Sequence, residues 1–446
     1  MKFRKKQVLL LAIPLLLVLA VILYQIPPIY NRFAWRMDDL KTRIKYALNP
    51  PDEAVFIPQE PIDTLTPSPV REIDPTPTPN TSKTTPANTQ QTLTPTPRAT
   101  PLPDFVKIDD IIYVHQHERW NYCGPANLAM ALKFWGWDGT RDDIAKVVKP
   151  GINNPNLDFI QRGKTDKNVM PSEMIDFISE ETAFHVVARY GGNLDLIKKF
   201  IANGYPVLVE KGYYEADYTG KVAWLGHYLF TTGYSESERE FIVQDAYLEP
   251  GKNMRVDYQV YLEGWRSFNY LFMIVYPPDR QDEVYDLLGP WADPAWSYQH
   301  ALDIAEQETT TLSGINLFFA WFNKGTSLVK LQRYPEAAAA YDQAFQIYSE
   351  LANDDTQRPY RIMWYQTWPY MAYYYSGRYQ DTLNLANHTL NETISEPELE
   401  ESLYWRALAK EALGDINGAI ADLRQAVHLN KHFEIAQFHL NRLLDQ

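Results

Sequence analysis

Asn121-Tyr122-Cys123-Gly124-Pro125-Ala126-Asn127-Leu128-Ala129-Met130 contains the only cysteine of a 446-residue chain. The cysteine stands just before a run with Leu128, Leu132 and Trp135 at i, i+4 and i+7, the spacing of an amphipathic helix. A thiol at a helix N-terminus feels the positive end of the macrodipole, which lowers its pKa and favours the nucleophilic thiolate. The segment therefore predicts a candidate nucleophile at the opening of a helix. A lone cysteine is also often a small buried hydrophobe. The reading therefore depends on what else the chain supplies.

A cysteine nucleophile needs a base near neutrality, and histidine fits. The candidates are His115, His117, His185 and His227. His227 lies in Gly226-His227-Tyr228 and is expected to open an apolar strand over 227–234. A short polar turn, Ser235 to Arg239, leads to a second strand over 240–245 that ends in Asp245. Strands joined so tightly pair antiparallel. A turn centred near Ser237 sets Leu229 and Phe230 opposite Asp245 and Gln244, within reach of His227, where a carboxylate can orient the imidazole. Gln116 offers a carboxamide that could join the backbone N–H of Cys123 as an oxyanion donor, with Asn121 as the alternative. Each residue also has a plainer reading: a satisfied edge histidine, a turn-forming aspartate, a surface glutamine. His115 and His117 alternate like strand residues and could share a face. The histidines lack ligand-like clustering, so neither a metal nor a cofactor is expected.

Around this constellation, helices are expected over 124–137, 142–148, 171–180 and 194–203, and strands over 206–211, 227–234, 240–245 and 270–276. Helices first and strands later read as α+β across 104–280. From 281 to 446 the chain is helical with a period. Trp321, Gly325, Tyr334, Ala337, Tyr341 and Ala344 fit a tetratricopeptide helix–turn–helix unit. Ala407, Gly414, Ala419, Leu423 and Ala426 fit a second. Gly377, Tyr379 and Ala386 suggest a weaker unit between them, and a helix over 433–444 would cap the stack. The units lie further apart than the ideal repeat, so insertions are expected between them.

Upstream, an apolar run from Val8 to Tyr24 follows Lys2, Arg4, Lys5 and Lys6. Positive charge before such a run places the N-terminus in the cytoplasm and the body outside. No small-x-small cleavage site follows, so residues 1–30 read as an uncleaved signal anchor. Residues 31–48 mix basic and apolar side chains, as a juxtamembrane helix or stalk would. Residues 49–103 carry Pro/Thr tracts that cannot bury a core and read as a spacer. The net charge of −14 and the lack of a basic stripe argue against nucleic acid as a partner.

Tyr122-Cys123-Gly124-Pro125-Ala126, then Gly226-His227-Tyr228, then Asp245, resemble the double-glycine (bacteriocin-processing) cysteine peptidases and their stand-alone C39-like relatives. The resemblance covers roughly 105–278. It implies a papain-like fold, Cys123 as nucleophile, His227 as base, Asp245 as orienting group and a glutamine in the oxyanion hole. That glutamine usually lies six residues before the cysteine, where this chain has His117; Gln116 is one further away. The family aspartate is usually followed by proline, and here Ala246 follows. No Gly-x-x-x-x-Gly-Lys-[Ser/Thr] sequence is present, so a self-contained peptidase-transporter is not expected.

The combined expectation is an α+β papain-like cysteine peptidase domain plus an all-α tetratricopeptide solenoid, behind a transmembrane anchor. The function expected is peptide-bond hydrolysis outside the cell membrane, with the repeats binding a protein partner or substrate. The alternatives are a catalytically silent protein-binding module and a cell-wall peptide amidase or transferase.

Overall fold

The computed structural model describes residues 56–59, 101–117, 119, 121–149, 168–216, 222–351, 358–393 and 399–445. The expected anchor (1–30), the stretch 31–48 and most of the Pro/Thr-rich tract lie outside the described residues. Among the described residues, no helix is long and apolar enough to cross a membrane.

Helix α1 (Cys123–Phe134) begins at the cysteine itself. Thr140 caps α2 (Arg141–Val148) through a reciprocal box with Asp143, which satisfies two terminal N–H groups. Helix α3 (Pro171–Glu181) starts on a proline, whose missing N–H costs nothing there. The strands are β1 (Phe105–Lys107), β2 (His185–Arg189), β3 (Val207–Ala216), β4 (Val222–Ser235), β5 (Glu240–Asp245), β6 (Met254–Asp257) and β7 (Phe272–Tyr276). They form one sheet ordered β2-β7-β3-β4-β5-β6, with β1 also on β4. Every pairing is antiparallel.

The expected register holds: Leu229 faces Asp245 and Phe230 faces Gln244. One expectation does not. β4 starts at Val222, so His227 lies inside the strand, paired with Lys211, rather than opening it. The small Gly226 and the polar histidine had suggested a strand start, but the ladder to β3 continues past both.

Side chains alternate across the sheet. Leu208, Tyr228, Phe230, Met273 and Val275 pack beneath α1, α2 and α3. Val207, Val209, Leu229, Phe272 and Ile274 face α4 (Leu194–Ala202) and α5 (Tyr258–Arg266).

Beyond β7 the chain is helical: α6 (Gln281–Leu288), α7 (Pro294–Thr311), α8 (Gly314–Lys330), α9 (Tyr334–Glu350), α10 (Ile362–Tyr365), α11 (Trp368–Tyr375), α12 (Tyr379–Asn387), α13 (Glu400–Ala412), α14 (Ile416–Leu429) and α15 (Glu434–Leu444). Among the described residues α8 packs on α9, α11 on α12 and α13 on α14 as helical hairpins, with α7 packed on α8 before them and α15 on α14 after them. Gly325 permits the first: a Cβ there would stand 2.7 Å from the Tyr341 ring.

The helical region is built onto the sheet. Trp224 of β4 stacks on Phe268 and meets the Phe319 and Tyr365 rings, with centroids 5.6–5.8 Å away. Asn323 Nδ2 donates to Arg266 O, and Gln366 Nε2 donates to Ser267 O. Phe56, within the tract read as spacer, is also buried, against Phe345 and Tyr373 of α9 and α11.

Candidate active site

The structure brings Cys123, His227 and Asp245 together, each at most 5% exposed. Cys123 is the first residue of α1, as the sequence pattern implied. Asn127, one turn on, fixes it: Nδ2 donates to Cys123 O (2.9 Å) and to Tyr228 O (3.0 Å). The same carboxamide thus ties the cysteine's turn to the strand that carries His227. Sequence reasoning placed Asn127 in an apolar helix and missed this. A polar residue at i+4 from the cysteine, on the buried face, was the available signal.

His227 Nε2 and Asp245 Oδ1 lie 2.9 Å apart, both buried. That Asp245 oxygen also accepts from the backbone N–H of Tyr247 and Leu248. Asp245 is therefore a turn former, as its plain reading has it, and also lies against the His227 imidazole. Burial alone would push the Asp245 carboxyl up, but His227 and the two N–H donors hold it down, at about 2. Burial would lower the His227 imidazole; Asp245, and hydrogen bonding to Cys123, outweigh it and raise it. For Cys123, burial pushes the thiol up. The hydrogen bond and charge of His227, the Tyr228 backbone and Lys149 pull it the other way, and it settles below the ordinary thiol range. These shifts favour a thiolate–imidazolium pair.

Gln116 donates its backbone N–H to Ala246 O (2.7 Å), which holds it beside Asp245. Its Oε1 is buried and meets no hydrogen-bond partner. His117, at the family's usual glutamine position, is engaged elsewhere: Nε2 lies 2.8 Å from Tyr247 O and Nδ1 lies 3.6 Å from Glu249. His115 contacts Arg141, and His185 contacts Gln281. Asn121, the alternative donor, adopts a left-handed φ of 45° and accepts from Lys149 Nζ through its carbonyl.

Glu210 and Tyr365 are buried residues that interact electrostatically with the thiol. Glu210 of β3 is 1% exposed, and its Oε1 has no hydrogen-bond partner. Burial, then the Cys123 charge, push its carboxyl well above the carboxylate range. Tyr365 arrives from α10, outside the stretch assigned to the peptidase-like domain. Its ring packs on Gly226, where a Cβ would stand 2.6 Å from it. That close approach requires a glycine directly before His227. Neither contact is visible in local sequence, because both join distant segments.

Among the described residues, Glu173, Glu400 and Glu401 bring ligand oxygens within 4.8 Å of one another, a donor set suited to a hard cation.

Residues 108–273 match the model of the Peptidase_C39 like family, and residues 320–350 and 400–433 match that of the tetratricopeptide repeat. Solved structures similar to part of the chain include two cysteine peptidases. One, described as a C39-like peptidase from Bacillus anthracis, is 15% identical, with 39% of this chain and 98% of that chain covered and a TM-score of 0.31. The other is Xylellain, a cysteine protease from Xylella fastidiosa: 14% identity, 40% and 87% coverage, TM-score 0.27. No curated protein matches the chain. The family models thus mark out a C39-like domain followed by tetratricopeptide repeats.

Proposed function

We propose that this protein is a cysteine peptidase held at the outer face of a cell membrane by its N-terminal segment. The observation that carries the reading is the continuous chain from the sole cysteine through His227 to Asp245. In this reading the Cys123 thiolate attacks the scissile carbonyl carbon and forms a C–S bond. The backbone N–H of Cys123 and the Gln116 carboxamide stabilise the oxyanion. His227 gives its proton to the leaving amine, which departs as the thioester forms. His227 then deprotonates a water whose attack breaks the C–S bond, releases the acid and restores the thiolate–imidazolium pair. Asp245 keeps the imidazole oriented and stabilises its charged form. The helical repeats present a surface for a protein partner or substrate. The test is cleavage of a peptide library by the full chain, read by mass spectrometry. Products dependent on Cys123 support the reading; identical products from Cys123→Ala would sink it.

One observation favours a second reading, a silent protein-binding module: Cys123 and His227 are buried beside Tyr365 of the helical region. On that reading no library peptide is cut, and Cys123→Ala retains the biological role.

A further inference from the structure

Residues 56–59, Phe-Ile-Pro-Gln, come from the tract upstream of the sheet, yet they lie on the helical region. Phe56 is 6% exposed, packs into an aromatic socket on the helical region, and lines a small cavity there together with Phe345, Tyr348, Ile362, Met363, Leu385 and His388. Its ring meets Phe345 edge-on at 5.0 Å, with Tyr373 and His388 at 6.2 and 6.4 Å. Ile57 points away and is exposed. Pro58 carries no N–H and favours an extended backbone. The next donor, the Gln59 N–H, reaches Asp381 Oδ1 at 2.8 Å.

That acceptor is built in. Asp381 is fully buried, and its other oxygen takes two hydrogen bonds from Arg378, through Nε (2.8 Å) and Nη2 (2.7 Å). Arg378 Nη1 is in turn held by Asp342 at 2.7 Å, and Asp342 accepts from Tyr373 OH. A charged group fixed this firmly, with one oxygen turned to a main-chain N–H, reads backbone. The aromatic socket beside it reads a side chain. Backbone hydrogen bonding plus an anchoring pocket is how extended peptides are recognised.

We propose that this pocket is a peptide-binding site for an extended segment with phenylalanine two residues before proline, and that residues 56–59 of the same chain occupy it in cis. A partner of that pattern binds only by displacing them. The segment preceding the sheet is then fastened at both ends. Gln59 is held on Asp381, and Asp104 O accepts from Glu236 N where β1 joins β4. The proposal deepens the reading of the helical repeats as a protein-binding surface and does not depend on catalysis.

The test uses the full chain in detergent, wild type and Phe56→Ala, and a labelled peptide of residues 53–62. A cis ligand acts at an effective concentration on the order of millimolar, so the wild-type pocket resists an added peptide. Phe56→Ala is expected to bind the peptide at least tenfold more tightly than wild type, and a peptide with alanine for the phenylalanine is expected to bind neither. Hydrogen exchange at Gln59 supplies a reading independent of peptide affinity: slow in wild type, fast in Phe56→Ala. Equal peptide binding by both proteins, or fast exchange at Gln59 in wild type, overturns the proposal. A wild-type dimer that Phe56→Ala dissolves also overturns it, because the occupant would then be a second copy. No readout uses Cys123, so failure here leaves the peptidase reading untouched.

Discussion

The sheet domain and the helical region bury charge in opposite ways. In the helical region two buried ion groups are closed off by partners: Arg378 lies between Asp342 and Asp381, and Asp422 takes both Arg406 and Lys410. At Cys123 the chain of groups ends on a thiol, and the charge that His227 gains from Asp245 is expressed at sulfur. The same physics, a buried pair, gives rigidity when it closes and reactivity when it ends on a nucleophile. The difference is one of termination, not of strength.

That contrast can be broken at either end. The largest effect is expected at the open end. Cys123→Ala or His227→Ala lowers peptide hydrolysis by about 10⁴-fold or more, since the groups act as a unit, while thermal unfolding of Cys123→Ala shifts little. Loss of activity through unfolding instead would dissolve the distinction. At the closed end, Arg378→Ala strands Asp342 and Asp381 without their cation. Breaking such a buried pair costs about 3–5 kcal/mol, read by denaturant unfolding, with the alkylation rate of Cys123 in the folded fraction unchanged. Gln116→Ala sharpens the comparison inside the site. An oxyanion donor is worth about 10²–10³ in kcat, so hydrolysis drops by that factor while the alkylation rate, which needs no oxyanion, stays. An equal fall in both would make Gln116 a structural residue.

The smallest effect is expected from Glu210→Gln. Burial pushes the Glu210 carboxyl up towards its uncharged form, so a neutral isostere is expected to leave the pH profile of Cys123 in place. A large shift would mean that Glu210 carries charge. Acid unfolding gives a further check. Asp245 is held below its ordinary value, so its stabilising contribution is present above the unfolded carboxylate pKa of about 3.9 and is lost as pH falls towards about 2.

The grouping of Cys123, His227 and Asp245 was legible because two local signals fixed it. The cysteine preceded a periodic run, and the short Ser235–Arg239 turn left only one sensible register, placing Asp245 opposite Leu229. The helical hairpins were legible from small residues at contact points such as Gly325. What escaped was tertiary. The strands His185–Arg189 and Met254–Asp257 are too mixed in polarity to declare themselves. Tyr365 reaches Gly226 from a separate region, and no period encodes that contact. Phe56 was hidden by its neighbours: a proline-rich context reads as spacer, and only the fold shows that one aromatic in it has a socket. His117 occupied the family's glutamine position by count, but its ring turns to Tyr247 and Glu249.

The central claim is that Cys123 ends an activated chain. The rate of alkylation of Cys123 against pH, in wild type and His227→Ala, measures this without any substrate. Folded-state pKa values lowered for Cys123 and raised for His227 predict a thiolate that persists well below the ordinary thiol value of about 8.5 and is lost in His227→Ala. A thiol titrating at that ordinary value in both proteins would contradict the account and leave the helical repeats as the working part of the molecule.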